Sequence, residues 1–533
     1  MARTLIIALA FSTIVQALPS WSNAEVKQGA TDVAKEYDYI VVGAGTAGTT
    51  VADRLSENGK QTVLVVEYGR LAQDDSFMPL YNTPAPEFLY NLTSVPQTNV
   101  NNRTFPVANG AVVGGGSAVN GQFFDRGSAE DYNNWAKFPG NSGWDWEGLY
   151  PYFKKSSALT PPTSAMKEWG ITYDAAAYSD NGSVVAAYPD YQYATQKIHW
   201  KAWIETGSVP IQKEHANGHA YGLFWIPTSM DPARGYNRSF AVLSHYIKVQ
   251  PRKNYHLLTL HRVTKVNLAD KDKDKMKHAV SVEIRDRLFK KTNGGPYTAW
   301  ITSSGAFLPP RTFVGDSFDA MVKEIAKQKP QDFLPSDTPE ELIAGYQKQK
   351  EIQLGSFKSK TNAWLEHPIS GKGWGMCILL KPFSRGYVKI NPVDPLGDAI
   401  FDYRLWSNPI DKKMHVRMQT YIRKHFLEST AYKDLGIVEQ DPVPGAVVDD
   451  AGWEDWLLNQ NKLMASNGHS VGTAAMMPRE LGGVVDNQLR VYGTRGLSIA
   501  DTSIIPLIPG THTQTTAYAI GEKAADLIKA RHL

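Results

Sequence analysis

Three glycines, Gly43, Gly45 and Gly48, stand directly after the apolar run Tyr39-Ile40-Val41-Val42. A Gly-x-Gly-x-x-Gly turn in that place suits one kind of chemistry, the close approach of backbone to a pyrophosphate. The first glycine permits the tight turn, the second lets the chain near the phosphates, and the third lets the next helix pack on the strand. Thr46 and Ala47 fall at the start of that helix, where unpaired N–H groups and a partial positive charge favour anions. Glu67, 24 positions after Gly43, is an acid able to accept hydrogen bonds from the ribose hydroxyls of an adenosine.

These residues need a strand, a helix and a second strand to hold them. The run ending at Val42 has strand character, the pattern through Ala52 and Leu55 is helical, and Thr62-Val63-Leu64-Val65-Val66 is the second strand. A βαβ unit of this kind predicts an α/β fold with a Rossmann-like nucleotide-binding domain. The fingerprint by itself does not separate NAD from FAD.

Further along comes Asn109-Gly110-Ala111-Val112-Val113-Gly114-Gly115-Gly116-Ser117-Ala118-Val119-Asn120-Gly121, then Asp125-Arg126-Gly127 and Asp131-Tyr132-Asn133-Asn134-Trp135. This stretch resembles the first signature of the glucose–methanol–choline (GMC) oxidoreductases, which bind FAD. Near the C-terminus, Asn467-Gly468-His469-Ser470-Val471-Gly472-Thr473 and Pro509-Gly510-Thr511-His512-Thr513-Gln514 resemble the two histidine-bearing elements of the same family. The resemblance covers roughly residues 37–287 and 375–530.

The resemblance implies that Gly114, Gly115, Ser117, Asn120 and Gly121 lie against the flavin, with Asp501 near its ribityl–phosphate region and Thr513 also at the cofactor. Some members attach flavin through a His just before the Asn position. Val119 stands there, so non-covalent FAD is implied. His469 matches the base position and His512 its partner. Two imidazoles flanking one oxygen bind an alcohol, accept its proton and stabilise the developing alkoxide. The implied reaction is hydride transfer from a small-molecule alcohol to flavin N5, with oxygen or another acceptor taking the electrons onward. A second implied activity is a non-redox cyclisation or dehydration with structural FAD, or a redox-inactive relative. Members of both kinds serve fungal natural-product pathways.

One departure stands out. After Arg287 the family continues through an apolar strand that completes the cofactor sheet, whereas this chain passes through Gly294-Gly295-Pro296 to Ser303-Ser304-Gly305. Several tens of residues are missing by that comparison, which predicts an open sheet edge and a weakened adenine-side pocket.

The remaining organisation follows. The FAD-binding domain is discontinuous, at 37–139, 240–310 and 464–533. Residues 140–239 and 311–463 form a substrate-binding domain with an antiparallel sheet and covering helices. Lys271 to Lys275 is a solvated turn between strands. A helix starts near Gln514 with Ala517, Ile520, Ala524, Leu527 and Ile528 on one face. A basic start and a short apolar run from Leu5 to Val15 predict a signal peptide over 1–17 and secretion. Asn91, Asn102, Asn181 and Asn237 head Asn-x-Ser/Thr glycosylation sites. A net charge of +3 argues against nucleic acid, Cys377 is the only cysteine, and no metal spacing or membrane span is present.

Overall fold

The computed structural model describes residues 26–27, 29–72, 88–207, 209–270, 276–286, 303–369 and 376–531. The leader expected over 1–17 and the turn at 271–275 lie outside them. The apolar runs flanking the glycine turn pair with each other. β1 (Val26–Lys27), β2 (Tyr39–Val42), β3 (Val63–Val66) and the distant β4 (Tyr255–Leu258) form a parallel sheet in spatial order β1-β4-β3-β2. Tyr39 to Val42 stand in register with Val63 to Val66. β2 feeds α1 (Thr46–Ser56), which returns the chain to β3. All four β3 side chains are buried, as a strand inside a parallel sheet requires.

β2 differs. Among the described residues no strand pairs with its outer side, and Ile40 and Val42 are 38% and 55% exposed. The run after Arg287, where a strand is expected to be missing, lies outside the described residues. Beyond β4 come β5 (His261–Asp270) and β6 (Lys277–Asp286), an antiparallel pair.

The helix expected from Gln514 is α2 (Gln514–Ala530). It packs on α1 so closely that a Cβ on Gly521 would lie 3.0 Å from the Ala47 carbonyl oxygen. The wholly buried Glu522 accepts from Arg54 at 2.6, 2.8 and 3.0 Å and faces Lys155 at 3.1 Å. Removing one partner of such a buried pair costs about 3–5 kcal/mol, because the other charge is stranded.

A second sheet is antiparallel, in order Ile378–Leu379, Leu365–Ile369, Ser304–Leu308, Gly222–Trp225. Helices Phe318–Lys327, Glu340–Lys358 and Pro409–Glu428 contribute to its core, around Phe313, Phe357, Trp364 and Met414. Sequence reasoning grouped Ser304–Leu308 with the nucleotide-binding region. Here it pairs with Leu365–Ile369 and Gly222–Trp225. Asn91, Asn102 and Asn181 are exposed, whereas Asn237 is half-buried in a short strand paired with Met230–Asp231. Among the described residues no helix is long and apolar enough to cross a membrane.

Candidate active site

The glycine turn is built as its spacing requires. Gly43 has φ +94°, and a Cβ on Gly48 would stand 2.0 Å from the Gly43 carbonyl oxygen, so α1 is seated directly on the turn. Gly45 caps α1 with no side-chain partner, leaving first-turn N–H groups for a ligand. The second glycine loop crosses above it. Gly115 has φ +50°, and its added Cβ would meet Gly45 Cα at 2.8 Å. Glu67 is buried, accepting the Ala44 N–H and the Gly69 N–H, each at 2.6 Å. It thereby pins the turn from inside the cavity wall.

These loops open onto a cavity of about 1440 Å³, larger than the roughly 300–1,000 Å³ of a small-ligand site and long enough for a dinucleotide. Gly43, Gly45, Thr46, Ala47, Gly48, Glu67, Ser117, Asn120, Gly121, Asp501 and Thr513 all line it. Gly114 lies behind the wall, where its added Cβ would meet Phe240 at 3.1 Å. Ser117 is inward too, its hydroxyl donating to the Gly114 carbonyl at 2.6 Å. The exposed Asp501 caps the turn at Thr502–Ile504 by accepting from the Ser503 N–H. The cradle therefore fits an extended nucleotide cofactor.

Asn120 links this cavity to buried charge. Its amide donates to Gln514 Oε1 at 2.8 Å, and its oxygen accepts from Arg238 Nη1 at 2.8 Å. Arg238 is 3% exposed and its Nε has no hydrogen-bond partner. Arg238 did not stand out in the sequence, where a lone Arg after an Asn carries no spacing signal.

The two histidines meet edge to face, ring centroids 5.2 Å apart at 86°. His469 lines the cofactor cavity and also a second cavity of about 1490 Å³. That second cavity is walled by Phe401, Tyr403, Leu405, Trp453, Trp456 and Met464, among others. His512 stacks on Phe123 at 4.3 Å and lies between two acids: Nδ1 is 3.1 Å from Asp125 and Nε2 is 3.6 Å from Glu366. Glu366 comes from the antiparallel sheet, so both regions of the fold contribute.

The electrostatics divide the pair. Burial disfavours a charge on both rings. At His512 the charges of Glu366 and Asp125 and the Asp125 hydrogen bond outweigh it, raising the imidazole to about 9. At His469 burial, reinforced by repulsion from His512, lowers it to about 3. Burial would raise Asp125, but attraction to His512 and hydrogen bonding bring it down to about 2. Burial lifts Glu366 to about 7 despite His512, and its Oε1 makes no hydrogen bond. The surroundings thus favour a neutral His469, which lines both cavities, beside a cationic His512 in the cofactor cavity.

A dinucleotide cradle opening onto such a pair defines an oxidoreductase that works with a nucleotide cofactor. Residues 37–312 and 382–521 match the GMC oxidoreductase description, and the chain belongs to that family. It is 30% identical to the dehydrogenase xptC of Emericella nidulans, over 93% of each chain. That alignment spans 594 positions, more than the 533 residues here, so gaps interrupt it. An FAD-dependent oxidoreductase from Chaetomium thermophilum superposes with TM-score 0.84 at 28% identity, covering 93% of this chain and 100% of that one. A fungal aryl-alcohol oxidase gives 0.80 at 28%, covering 94% and 100%. These relations support FAD as the cofactor.

Proposed function

We propose that the chain oxidises a bulky, largely apolar alcohol with non-covalently held FAD. The observation that carries this reading is the edge-to-face pair of His469 and His512, with His469 lining both the cofactor cavity and the aromatic-walled one. The Gly43–Gly48 turn and the first turn of α1 would hold the pyrophosphate, Glu67 the adenosine ribose, and Asn120, Gly121, Thr513 and Gln514 the flavin end. Bound FAD supplies two-electron acceptance of the carbinol hydride. His469, which burial keeps neutral and which meets the His512 ring edge to face, is the group placed to take the hydroxyl proton. His512 meets the charge that develops on the substrate oxygen. The aromatic walls exclude water and orient the ring or chain bearing the hydroxyl. Val119, with no nucleophilic atom, supports a dissociable cofactor.

The test is anaerobic mixing of FAD-loaded protein with benzylic, polycyclic and sugar alcohols, following the oxidised-flavin band. Bleaching by the first two but not by sugars is expected, and loss of about 10²–10⁴ in rate for His469→Ala. A loaded protein that none of these alcohols reduces overturns the reading.

A further inference from the structure

Asp125, a few residues after the second glycine loop, is 1% exposed and is approached three times by the Thr511-His512 loop. Thr511 Oγ1 donates to its Oδ2 at 2.7 Å, His512 N–H reaches the same oxygen at 3.4 Å, and His512 Nδ1 faces Oδ1 at 3.1 Å. Thr515 binds back, its hydroxyl donating to the Asp125 carbonyl. We infer that Asp125 is the positioning residue of this site, accepting the Nδ1 proton of His512 and so fixing Nε2–H as the face presented to the reacting oxygen.

The chemistry is restrictive. An ionised carboxylate has no hydrogen to give, so Nδ1 must carry one. Phe123, stacked at an interplanar angle of 6°, fixes the plane in which the ring lies. Nε2 is then left opposite Glu366 at 3.6 Å, beyond hydrogen-bond length but close enough for charge attraction. The groups facing the ring are Asp125, Glu366 and His469, with His215 acting on Asp125 from behind and paired to Glu214 at 3.1 Å. Two acids and one neutral imidazole favour a cation at His512. A second neutral histidine there would compete with His469 for the alcohol proton, whereas an oriented cation only stabilises the oxygen that proton leaves. The step served is the one proposed above, on which this inference rests for the identity of the oxygen.

The experiment is a pH titration of the His512 ring by NMR in full-length protein with FAD, labelled on histidine and assigned by comparison with His512→Gln. Both ring nitrogens should be protonated at pH 7. Asp125→Asn, which keeps size and an acceptor oxygen but removes the charge, should lower the His512 midpoint by about one pH unit or more. The alkaline fall in flavin-reduction rate should move the same way. A neutral ring protonated on Nε2 in the unsubstituted protein overturns the inference even if Asp125→Asn does not fold. So does an unchanged midpoint in the variant. If the ring titrates as expected while no alcohol reduces the flavin, the proposed oxidation fails and the role of Asp125 stands.

Discussion

Replacing Gly48 by alanine isolates the contact that seats the cofactor helix. The new Cβ would lie 2.0 Å from the Gly43 oxygen and 3.1 Å from its carbonyl carbon, both backbone atoms with no rotamer to yield. A relaxed carbon–oxygen contact needs about 3.3 Å, so the first turn of α1 must move away from the glycine turn by roughly 1.3 Å. Overpacking of this kind costs about 1–3 kcal/mol. If the strain falls on the bound conformation of the turn, FAD affinity drops about 5- to 150-fold, at tenfold per 1.4 kcal/mol. Fluorescence quenching on titration with FAD measures this directly. Gly355→Ala is the control, being mid-helix with nothing within 4 Å of an added Cβ, and should match or slightly exceed the parent in stability. Gly48→Ala binding FAD as tightly as the parent would refute the reasoning that the turn and helix act as one rigid phosphate seat.

Three buried histidines other than the His469–His512 pair, His199, His367 and His425, predict acid sensitivity. Burial is the main cause at each, lowering them to about 4, 4 and 3, so the folded protein favours their neutral forms. Their stability contribution is complete above the ordinary pKa near 6.5 and is lost as pH falls towards the folded values. At pH 5 the loss is about 2 kcal/mol each. His425, stacked on Trp203 with neither ring nitrogen bonded, is the one to change. His425→Phe should be clearly less pH-sensitive in urea unfolding, and an unaltered slope between pH 7.5 and 5 counts against this account. At the open edge, Ile40→Lys should reduce self-association in sedimentation velocity at high concentration with stability within about 0.5 kcal/mol, since a charged edge resists strand addition. Undiminished association would show that the edge is not the contact.

The parts of the fold that could be read from the chain were those whose residues interact locally. Tyr39–Val66 announced itself because strand period, glycine spacing and helix face all lie within thirty residues. The histidines were legible only through the motifs around them, because a lone imidazole has no spacing to give it away. Glu366 left no trace. It sits in Leu365–Ile369 and reaches His512 through a sheet whose partners come from far apart in the chain. Asp125 was visible as a residue but not as a contact, since nothing local says that a carboxylate after two phenylalanines will meet a loop nearly four hundred positions on. β1 was missed because two residues have no period, and it exists through pairing with Leu257 and Leu258.

α2 clasps α1 through Arg54 and Glu522, so two stretches 468 positions apart in the chain must find each other before the glycine turn is braced. At about 5–20 residues per second, roughly 25 to 95 seconds separate their synthesis. A chain cut short of Gln514 would accordingly carry the glycine turn without α2 to brace it from behind.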